Sequence, residues 1–298
     1  MKVVTSDKVI YTFRPDMEPV QKILPDEIVE VETNDCFLNQ IENEEQLIDE
    51  IDFSKINPAT GPIYVEGAEP GDVLKIEILK INLPDKGIMI VAPNEGVLGS
   101  FVERAQTRVV KIENKVCHFK SISIPAKPMI GVIGVAPSQK DGEYPTGIPW
   151  KHGGNMDTTD ITEGAALYLP VNQKGALLAL GDCHAVMGDG EVCVTGCEIR
   201  SKVRLKTTLI KGVPLEWPIV ETNNSLAVVT SGNTVEGAIE EATRCAVNHL
   251  SKGLNLDWSD AYMLASLVVN IKVSQVVDPK KTVRASISKE ILNPKRIF

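Results

Sequence analysis

The hydrophobic pattern of the chain is mainly that of short β-strands. Over residues 72–81 (DVLKIEILKI), apolar residues alternate with lysine and glutamate, as they do in a strand with one buried face. Similar apolar runs, separated by turn residues, lie at 109–112, 130–135, 165–169, 176–180, 191–199, 203–210 and 226–230. This spacing predicts a mainly β (α+β) fold with antiparallel β-sandwich or barrel-like sheets.

One segment near the C-terminus has the period of an amphipathic helix instead. Its apolar residues recur every three or four positions, at Val235, Ala238, Ile239, Ala242, Ala246 and Leu250. Asn233 or Thr234 can cap its start, and Gly253 follows its end. A second helix is predicted to start at Asp257 or Ser259. The two helices predict a small helical hairpin packed on the sheets.

Composition narrows the function classes. The 298 residues carry 31 Lys and Arg against 40 Asp and Glu, a formal net charge of -9, and no basic stripe offsets it. We therefore expect no nucleic-acid partner and no membrane partner. No long apolar segment is present, at the N-terminus or elsewhere, which favours a cytoplasmic protein. We expect one compact unit over 1–298, in which 137–156 is either a boundary between two sub-halves or a functional loop.

The cysteines favour free thiols over a structural framework. None of them forms a C-x-x-C pair: they are Cys36, Cys117, Cys183, Cys193, Cys197 and Cys245. This pattern gives little support to a four-cysteine zinc site. Cys193 and Cys197 lie four residues apart in a predicted strand, which would place both on one face as small buried residues. Cys183 is disfavoured as a nucleophile because His184, its neighbour, would point to the opposite face of a strand.

The most specific polar segment is 181–200 (GDCHAVMGDGEVCVTGCEIR). The letters MGDG at its centre are typical of a hairpin turn. Asp182 and His184 are two residues apart, so they face the same side of a strand. With the turn centred on MGDG, His184 is predicted to lie opposite Val194.

Glu198 then joins the same face as a diagonal neighbour, and Gly196 leaves space over that face. An aspartate, a histidine and a glutamate that converge there suit a divalent metal such as zinc, with an open position for water. A register slip of one residue would remove Glu198 from the face. The alternatives are a hydrogen-bonded core histidine and an aspartate that only caps a turn.

Three other segments carry candidate functional side chains. In KHGGNMD, His152 offers a general base, Asn155 an amide and Asp157 a carboxylate, although a surface turn is the alternative. Glu66 lies between apolar residues and a glycine. It is either a general base with a raised pKa or a glutamate on an edge strand that faces water. Asp35 is either a buried carboxylate near the site or the end of a strand.

Together these segments resemble the acetamidase/formamidase family. They follow the order of that family and cover nearly the whole chain: GPIYVEGAEPGDVL (61–74), IGVIGVAP (130–137), HGGNMD (152–157), LYLPV (167–171), GALLALGDCHAVMGDGEV (175–192) and SQVVDP (274–279). The resemblance implies a β-rich fold, assembly into a homo-oligomer (a dimer or higher), and hydrolysis of small carboxamides such as formamide or acetamide to the acid and ammonia.

The resemblance strengthens the prediction of a divalent metal, zinc or else calcium. Asp182, His184 and Glu198 are the expected ligands, with Asp35 as a further one. The metal would polarise the amide carbonyl or lower the pKa of a bound water. Glu66 is the expected general base.

The remaining candidates are expected to handle the substrate. His152 is the second predicted catalytic residue and orients the substrate with Asn155. Asp157 and Met187 are expected to contact the substrate, and Met187 stands where many relatives carry glutamine. Two alternatives stay open: a non-catalytic β-rich protein that binds a small molecule, and a hydrolase of another linear or cyclic C–N bond.

Overall fold

The computed structural model describes residues 1–298, and strands make up most of its regular structure. The strands are Lys2–Val4 (β1), Val9–Ile10 (β2), Thr12–Phe13 (β3), Gln21–Ile23 (β4), Ile28–Thr33 (β5), Ala59–Val65 (β6), Val73–Ile81 (β7), Lys86–Val91 (β8), Gln106–Glu113 (β9), Val116–Phe119 (β10), Ile122–Pro125 (β11), Met129–Gly134 (β12), Tyr144–Pro145 (β13), Gly153–Asn155 (β14), Ala166–Pro170 (β15), Leu178–His184 (β16), Glu198–Ile199 (β17), Ser201–Ile210 (β18), Ile219–Glu221 (β19), Ser225–Gly232 (β20), Val269–Gln275 (β21) and Lys281–Ser288 (β22). The helices are Val235–Leu254 (α1) and Trp258–Val268 (α2), with short 3-10 turns at Ile48–Glu50, Phe53–Lys55, Gly99–Phe101 and Pro294–Arg296.

Two large sheets carry nearly all of these strands. The first has nine strands in the order β1-β5-β18-β7-β15-β19-β20-β22-β21. The second has eleven, along the path β11-β10-β9-β8-β17-β16-β12-β14, and β6 joins it beside β16 and brings in β2 and β4. Only the pairs β1–β5 and β4–β6 are parallel. The predicted mainly β, antiparallel class is therefore confirmed, with two open sheets.

The main core joins the two sheets. It is a cluster of 34 buried apolar residues that includes Ile76 of β7 and Leu167 of β15 from the first sheet, and Ile130 of β12 and Leu180 of β16 from the second. The alternation predicted for β7 is confirmed, because its isoleucines at even positions are buried while its lysine and glutamate near the middle are half-buried. Burial of such apolar area is the main stabilising term for the fold.

The predicted helical hairpin is confirmed, with one change at the C-terminal end of α1. Thr234 caps α1 by accepting a hydrogen bond from Gly237 N, and Asp257 caps α2 by accepting from Asp260 N. Gly253 lies inside the last turn of α1, so its predicted place after the helix end is wrong. The residue that ends α1 is Asn255, which adopts the left-handed conformation (φ 55°, ψ 47°). Asparagine tolerates this conformation because its short polar side chain bonds locally.

Both helices pack on the part of the first sheet that β20, β22 and β21 form. A cluster of 11 buried apolar residues joins Ala238, Ala246 and Leu250 of α1 and Ala261 of α2 to strand residues such as Ala285 of β22. Neither helix, nor any of the shorter turns, combines the length and the apolar character that crossing a membrane requires.

Asn255 provides a test of the helix end. We expect Asn255→Ala to lower the free energy of unfolding by about 1–2 kcal/mol, because a Cβ without a local hydrogen bond disfavours the left-handed conformation. Asn255→Gly should leave it unchanged or raise it, because glycine adopts this conformation freely. Urea unfolding of both variants beside the parent measures the difference. Equal stabilities for the two variants would contradict the assignment of the cap.

Candidate metal centre

Four carboxylates surround the imidazole of His184 in the core of the second sheet. Its Nε2 atom lies 3.2 Å from Oε1 of Glu198 and 3.5 Å from Oδ1 of Asp182. Asp157 Oδ1 is 3.8 Å away and Glu191 Oε1 is 4.0 Å away. All five side chains are at most 5% exposed. We call these five residues the acidic cluster.

The register between β16 and β17 differs from the predicted hairpin. His184 lies opposite Glu198, not opposite Val194, so the pairing is shifted by four residues (198 against 194). Because the shift is an even number, Glu198 stays on the face that His184 occupies. Residues 185–197 form a long irregular connection where a tight turn was expected, and strand β17 is correspondingly short. Cys197 is buried in this connection while Cys193 is only half-buried, so their predicted pairing on one strand face is wrong.

Contacts with strands β21 and β22 of the first sheet fix the middle of this connection. Gly190 N donates to Ser274 O (2.8 Å), and Val276 N donates to Gly190 O (3.1 Å). Asp189 pairs with the buried guanidinium of Arg284 at 2.8 Å. Asp189 and Gly190 are therefore fixed against β21 and β22, and Glu191, next in the chain, is brought to His184.

Arg284 ties together the two loops that supply Asp157 and Glu191. It is 1% exposed, and its Nε donates to Oδ2 of Asp160 at 2.7 Å. Its Nη2 donates to both carboxylate oxygens of Asp189, at 3.0 and 2.8 Å. One buried cation thus positions the segments before Glu191 and after Asp157, without itself reaching the acidic cluster.

The backbone at three of the carboxylates is in a conformation that L-residues rarely adopt. Asp157, Asp182 and Glu191 have φ values of 40°, 52° and 48°. Such left-handed residues cost free energy and concentrate at functional sites. Space is also reserved around the side chains: a Cβ at Gly196 would lie 2.6 Å from His184 Nδ1, and one at Gly131 would collide with the carboxylates of Asp157 and Asp182. The predicted role of Gly196 in leaving space over this face therefore matches the geometry.

Burial and mutual repulsion shift the protonation of the acidic cluster. Burial raises the pKa of Glu198 to about 7. Burial and the neighbouring carboxylates raise the pKa values of Glu191 and Asp157 well above the usual range. Burial alone would lower the pKa of His184, but Glu198 and Asp182 raise it well above its usual value. Positive charge is thus favoured at this point of the core.

Five polar atoms of the acidic cluster are not satisfied by the protein. Both ring nitrogens of His184, both carboxylate oxygens of Asp157 and Oε2 of Glu198 are buried and lack a hydrogen bond of acceptable geometry. Buried polar atoms usually have a partner, and unpartnered ones call for an unseen ion or water. The donor atoms fall into two compact groups, one formed by Asp157, His184 and Glu191 and the other by Cys36, Asp182 and Glu198.

Cys36 is the candidate ligand that the sequence reasoning missed, and Asp35 is the predicted ligand that the structure uses otherwise. Oδ1 of Asp35 accepts hydrogen bonds from the backbone N–H groups of Phe37 (3.0 Å) and Asn39 (2.7 Å). Burial raises the pKa of Asp35 to about 6. Asp35 therefore shapes the turn that presents the Cys36 thiol to Asp182 and Glu198, and it is not a member of either donor group.

Two predicted catalytic residues lie away from the acidic cluster. Strand β6 runs antiparallel to β16 with Ile63 opposite Leu178, so Glu66 lies beyond the opposite end of β16 from His184. His152 precedes β14, whose Gly153 pairs with the end of β12 that is remote from the acidic cluster.

The surroundings of His152 are those of a core residue. Its ring is stacked on Tyr144 (4.9 Å between centroids) and tilted against Phe13 (5.0 Å). Burial lowers the pKa of His152 to about 3, so the imidazole is neutral. The structure thus brings neither Glu66 nor His152 to the predicted metal ligands.

The predicted substrate contacts divide in the same way. Asn155 faces a cleft, and its Nδ2 donates to Oδ2 of Asp278 at 3.0 Å while its Oδ1 is unpartnered. Asp157 belongs to the acidic cluster itself. Met187 is half-buried in the connection after β16 and does not line the cleft. Cys183 packs in the main core, where burial raises the pKa of its thiol to about 12, and all six cysteines are free.

The cleft beside Asn155 is the route to the acidic cluster. It has a volume of about 1230 Å³, and Asp182, Glu191 and Glu198 line it together with Cys36. Part of the segment 137–156, predicted to be either a boundary between sub-halves or a functional loop, borders the same cleft at residues 145–148. A buried acidic centre is thereby joined to a cavity wide enough for a small molecule.

Comparisons with known proteins agree with this fold. Residues 3–141 and 144–294 match the model of the Acetamidase/Formamidase family. A predicted acetamidase/formamidase from Thermoanaerobacter tengcongensis is 44% identical, with a TM-score of 0.96 over 100% of this chain and 98% of that chain. An acetamidase from Bacillus halodurans is 39% identical, with a TM-score of 0.93 over 97% of this chain and 99% of that chain.

Curated relatives are more distant. A formamidase from Methylophilus methylotrophus is 25% identical, over 67% of this chain and 63% of its own length. The chain spans less than two thirds of the length of the curated relatives that it matches. Fold and site together define a β-rich protein with a buried carboxylate–histidine centre. The chain belongs to the acetamidase/formamidase family.

The raised pKa values predict how stability depends on pH once metal has been removed by chelation. Folded Glu198, with a pKa of about 7, holds a proton that the unfolded side chain, with a pKa of roughly 4.3, has already lost. The stabilisation is present at low pH and is lost as the pH rises through 7. Glu198 alone should lower the free energy of unfolding by about 1 kcal/mol between roughly pH 6.5 and 8.5.

Two buried histidines act in the opposite sense over the lower part of this range. Burial lowers the pKa values of His152 and His249 to about 3 and about 4, so below roughly pH 7 the unfolded chain binds protons that the folded chain does not. The parent and Glu198→Gln share both histidines, so the difference between their free energies of unfolding isolates Glu198. Denaturant unfolding at several pH values measures this difference, which should change by about 1 kcal/mol between roughly pH 6.5 and 8.5. A difference that is the same at every pH would contradict the raised pKa of Glu198.

Proposed function

We propose that this protein hydrolyses a small carboxamide to the carboxylic acid and ammonia, with a divalent cation held in the acidic cluster. One observation carries the proposal: His184 Nε2 has four buried carboxylates within 4.0 Å, at the side of a cleft. Membership in the acetamidase/formamidase family supports the amide as substrate.

The residues fit a cation on their own chemistry. Four carboxylates packed around a single imidazole repel one another, and a divalent ion relieves both that repulsion and the loss of hydration. The unpartnered buried atoms of Asp157, His184 and Glu198 supply donors for it. Calcium prefers oxygen ligands alone, whereas zinc accepts imidazole and thiolate. The presence of His184 and Cys36 among the donors therefore favours zinc over calcium.

We propose Asp182, His184 and Glu198 as ligands, as inferred from the sequence, with Asp157 and Cys36 as the further donors. When bound, the cation would polarise the amide carbonyl and lower the pKa of a water molecule. The structure gives Asp35 a part in shaping the turn at Cys36, so we do not propose it as a ligand.

Glu191 takes the role of general base that the sequence suggested for Glu66. Its carboxylate lines the cleft, is the farthest of the four from His184, and has a pKa raised by burial. A carboxylate with such a pKa accepts a proton from the attacking water and returns it to the departing nitrogen. The products are then the carboxylic acid and ammonia.

Asn155 is suited to orient the amide. Its Nδ2 is engaged by Asp278, which fixes the side chain so that the free Oδ1 is available to accept a hydrogen bond from the substrate NH₂ group. Loss of a hydrogen bond to a substrate N–H leaves a buried acceptor unpaired, so this contact discriminates amides from acids and esters.

Location and assembly also belong to the proposal. Six free cysteines suit a reducing compartment such as the cytoplasm. Helix α2 leaves Trp258, Tyr262, Met263 and Leu267 between 52% and 83% exposed, and an apolar surface of this kind favours a homo-oligomer, a dimer or higher.

The test measures ammonia release from formamide and acetamide, together with the metal content of the purified protein. Chelation should abolish the release, and zinc should restore it better than calcium. Absence of metal in active protein, or activity unchanged by chelation, would refute the proposed cation. A small molecule that binds without any ammonia release, across a panel of linear and cyclic amides, would favour a non-catalytic binding protein.

Two glycines in the same connection supply matched variants for this test. In Gly196→Ala the new Cβ would lie 2.6 Å from His184 Nδ1, so the ring must move. We expect metal affinity and activity to fall on the order of 10–100-fold. A Cβ at Gly188 meets nothing within 4 Å, so Gly188→Ala should keep both. Equal behaviour of the two variants would remove His184 from the proposed centre.

A further inference from the structure

The cleft is much larger than the amides that give the family its name. Acetamide has four non-hydrogen atoms, which fill roughly 120 Å³ if each occupies about the volume of a water molecule. The cleft measures about 1230 Å³, which exceeds the roughly 300–1,000 Å³ of sites that enclose drug-sized ligands. Acetamide bound at the acidic cluster would therefore leave most of the cleft filled with water.

One wall of the cleft is apolar and begins at the acidic cluster. Cys36 belongs both to a donor group of the candidate metal centre and to a small hydrophobic cluster that contains Phe37 and Ile90. Phe37 and Ile90 line the cleft, as does Ile48, which packs on the same cluster. An apolar surface thus runs outward from the reacting end of the site.

Farther out, the same wall exposes an aromatic ring. Phe53 is 56% exposed and lines the cleft in the second 3-10 turn. We call Phe37, Ile48, Phe53 and Ile90 the acyl wall. Phe37 and Ile90 are at most 6% exposed, so the wall is tightly packed near the acidic cluster, and Phe53 is its widely exposed outer member. Covering such an exposed ring with an apolar group is favourable.

We propose that the acyl wall binds the uncharged apolar acyl chain of a carboxamide larger than acetamide, such as a medium-chain primary amide. The inference rests on the proposed amide hydrolysis and names its substrate class. Continuity with the acidic cluster through Cys36 places an acyl chain, and not a second ligand, on this wall. The four residues of the acyl wall carry no charge, which suits an uncharged apolar chain.

The experiment compares kcat/KM for acetamide, butanamide and hexanamide. Each methylene buried on the acyl wall should raise kcat/KM about fourfold, so hexanamide should exceed acetamide by at least about tenfold. Phe53→Ala should lower the ratio of hexanamide to acetamide by about fivefold, because the outer methylenes lose their cover. Ile48→Ala provides a second test at another point of the wall, should Phe53→Ala fold poorly.

Phe101→Ala is the matched control. Phe101 is 80% exposed and does not line the cleft, so its removal should leave the ratio unchanged. A ratio at or below one in the parent, with acetamide hydrolysed, would overturn the acyl wall and leave the proposed function standing. Failure to hydrolyse any of the three amides would instead overturn the proposed function, and the substrate class with it.

Sedimentation tests whether a second copy of this chain covers the acyl wall. If a second copy of this chain covers the acyl wall, the parent will be oligomeric and Phe53→Ala and Ile48→Ala will dissociate it, while Phe101→Ala will not. That result would overturn the inference. An association state that is the same in the parent and all three variants, together with the tenfold preference for hexanamide, would support it.

Discussion

The crowding of four buried carboxylates around one imidazole is the constraint on which the rest of the site depends. Burial and the neighbouring carboxylates raise the pKa values of Asp157, Glu191 and Glu198. Such an arrangement is stable only if protons or a cation offset the negative charge. The left-handed backbone at Asp157, Asp182 and Glu191 adds a further cost. In our proposal, a bound cation offsets the cost of the buried negative charge.

The fold meets this constraint with rigid elements and with one buried cation set back from the centre. His184 and Glu198 face each other across a strand pair, which fixes their separation through backbone hydrogen bonds. Asp157 and Glu191 come from irregular segments, and the guanidinium of Arg284 holds the aspartates near both. Hydrophobic packing of the two sheets keeps the whole arrangement in place. The acidic cluster is therefore built from distant parts of the chain, and loss of tertiary structure would scatter it.

Much of the fold could be predicted from hydrophobic periodicity, because β7 and α1 keep one apolar face over many residues. The pairing of Asp182, His184 and Glu198 on one face was also predictable, although the register was not. An even shift keeps side chains on the same face, so the face survived an error of four residues. The shift itself depends on bonds from Gly190 to β21, which are far away in sequence.

The residues that sequence reasoning misplaced share a cause. Glu66 sits in a segment typical of the family, but the antiparallel pairing of β6 with β16 carries it to the far end of the strand. Glu191 and Cys36 reach the centre only through tertiary contacts. Each has a local sequence feature beside it. Glu191 follows the glycine-rich letters GDG, and Cys36 follows Asp35, whose side chain accepts hydrogen bonds from the backbone of the next residues. Neither feature predicts which distant residues the side chain will contact. The proximity of Glu191 and Cys36 to the acidic cluster is therefore visible only in the folded chain.

The most direct measurement is anomalous diffraction at the zinc absorption edge from crystals of the protein grown with zinc. A peak bounded by His184 Nε2 and by carboxylate oxygens of Asp182 and Glu198 is the result expected for a metal centre. Data collected below the edge should lose most of that peak, which distinguishes zinc from calcium. A fully occupied zinc elsewhere in the molecule, or an acidic cluster that holds only water in zinc-loaded crystals, would contradict the central claim.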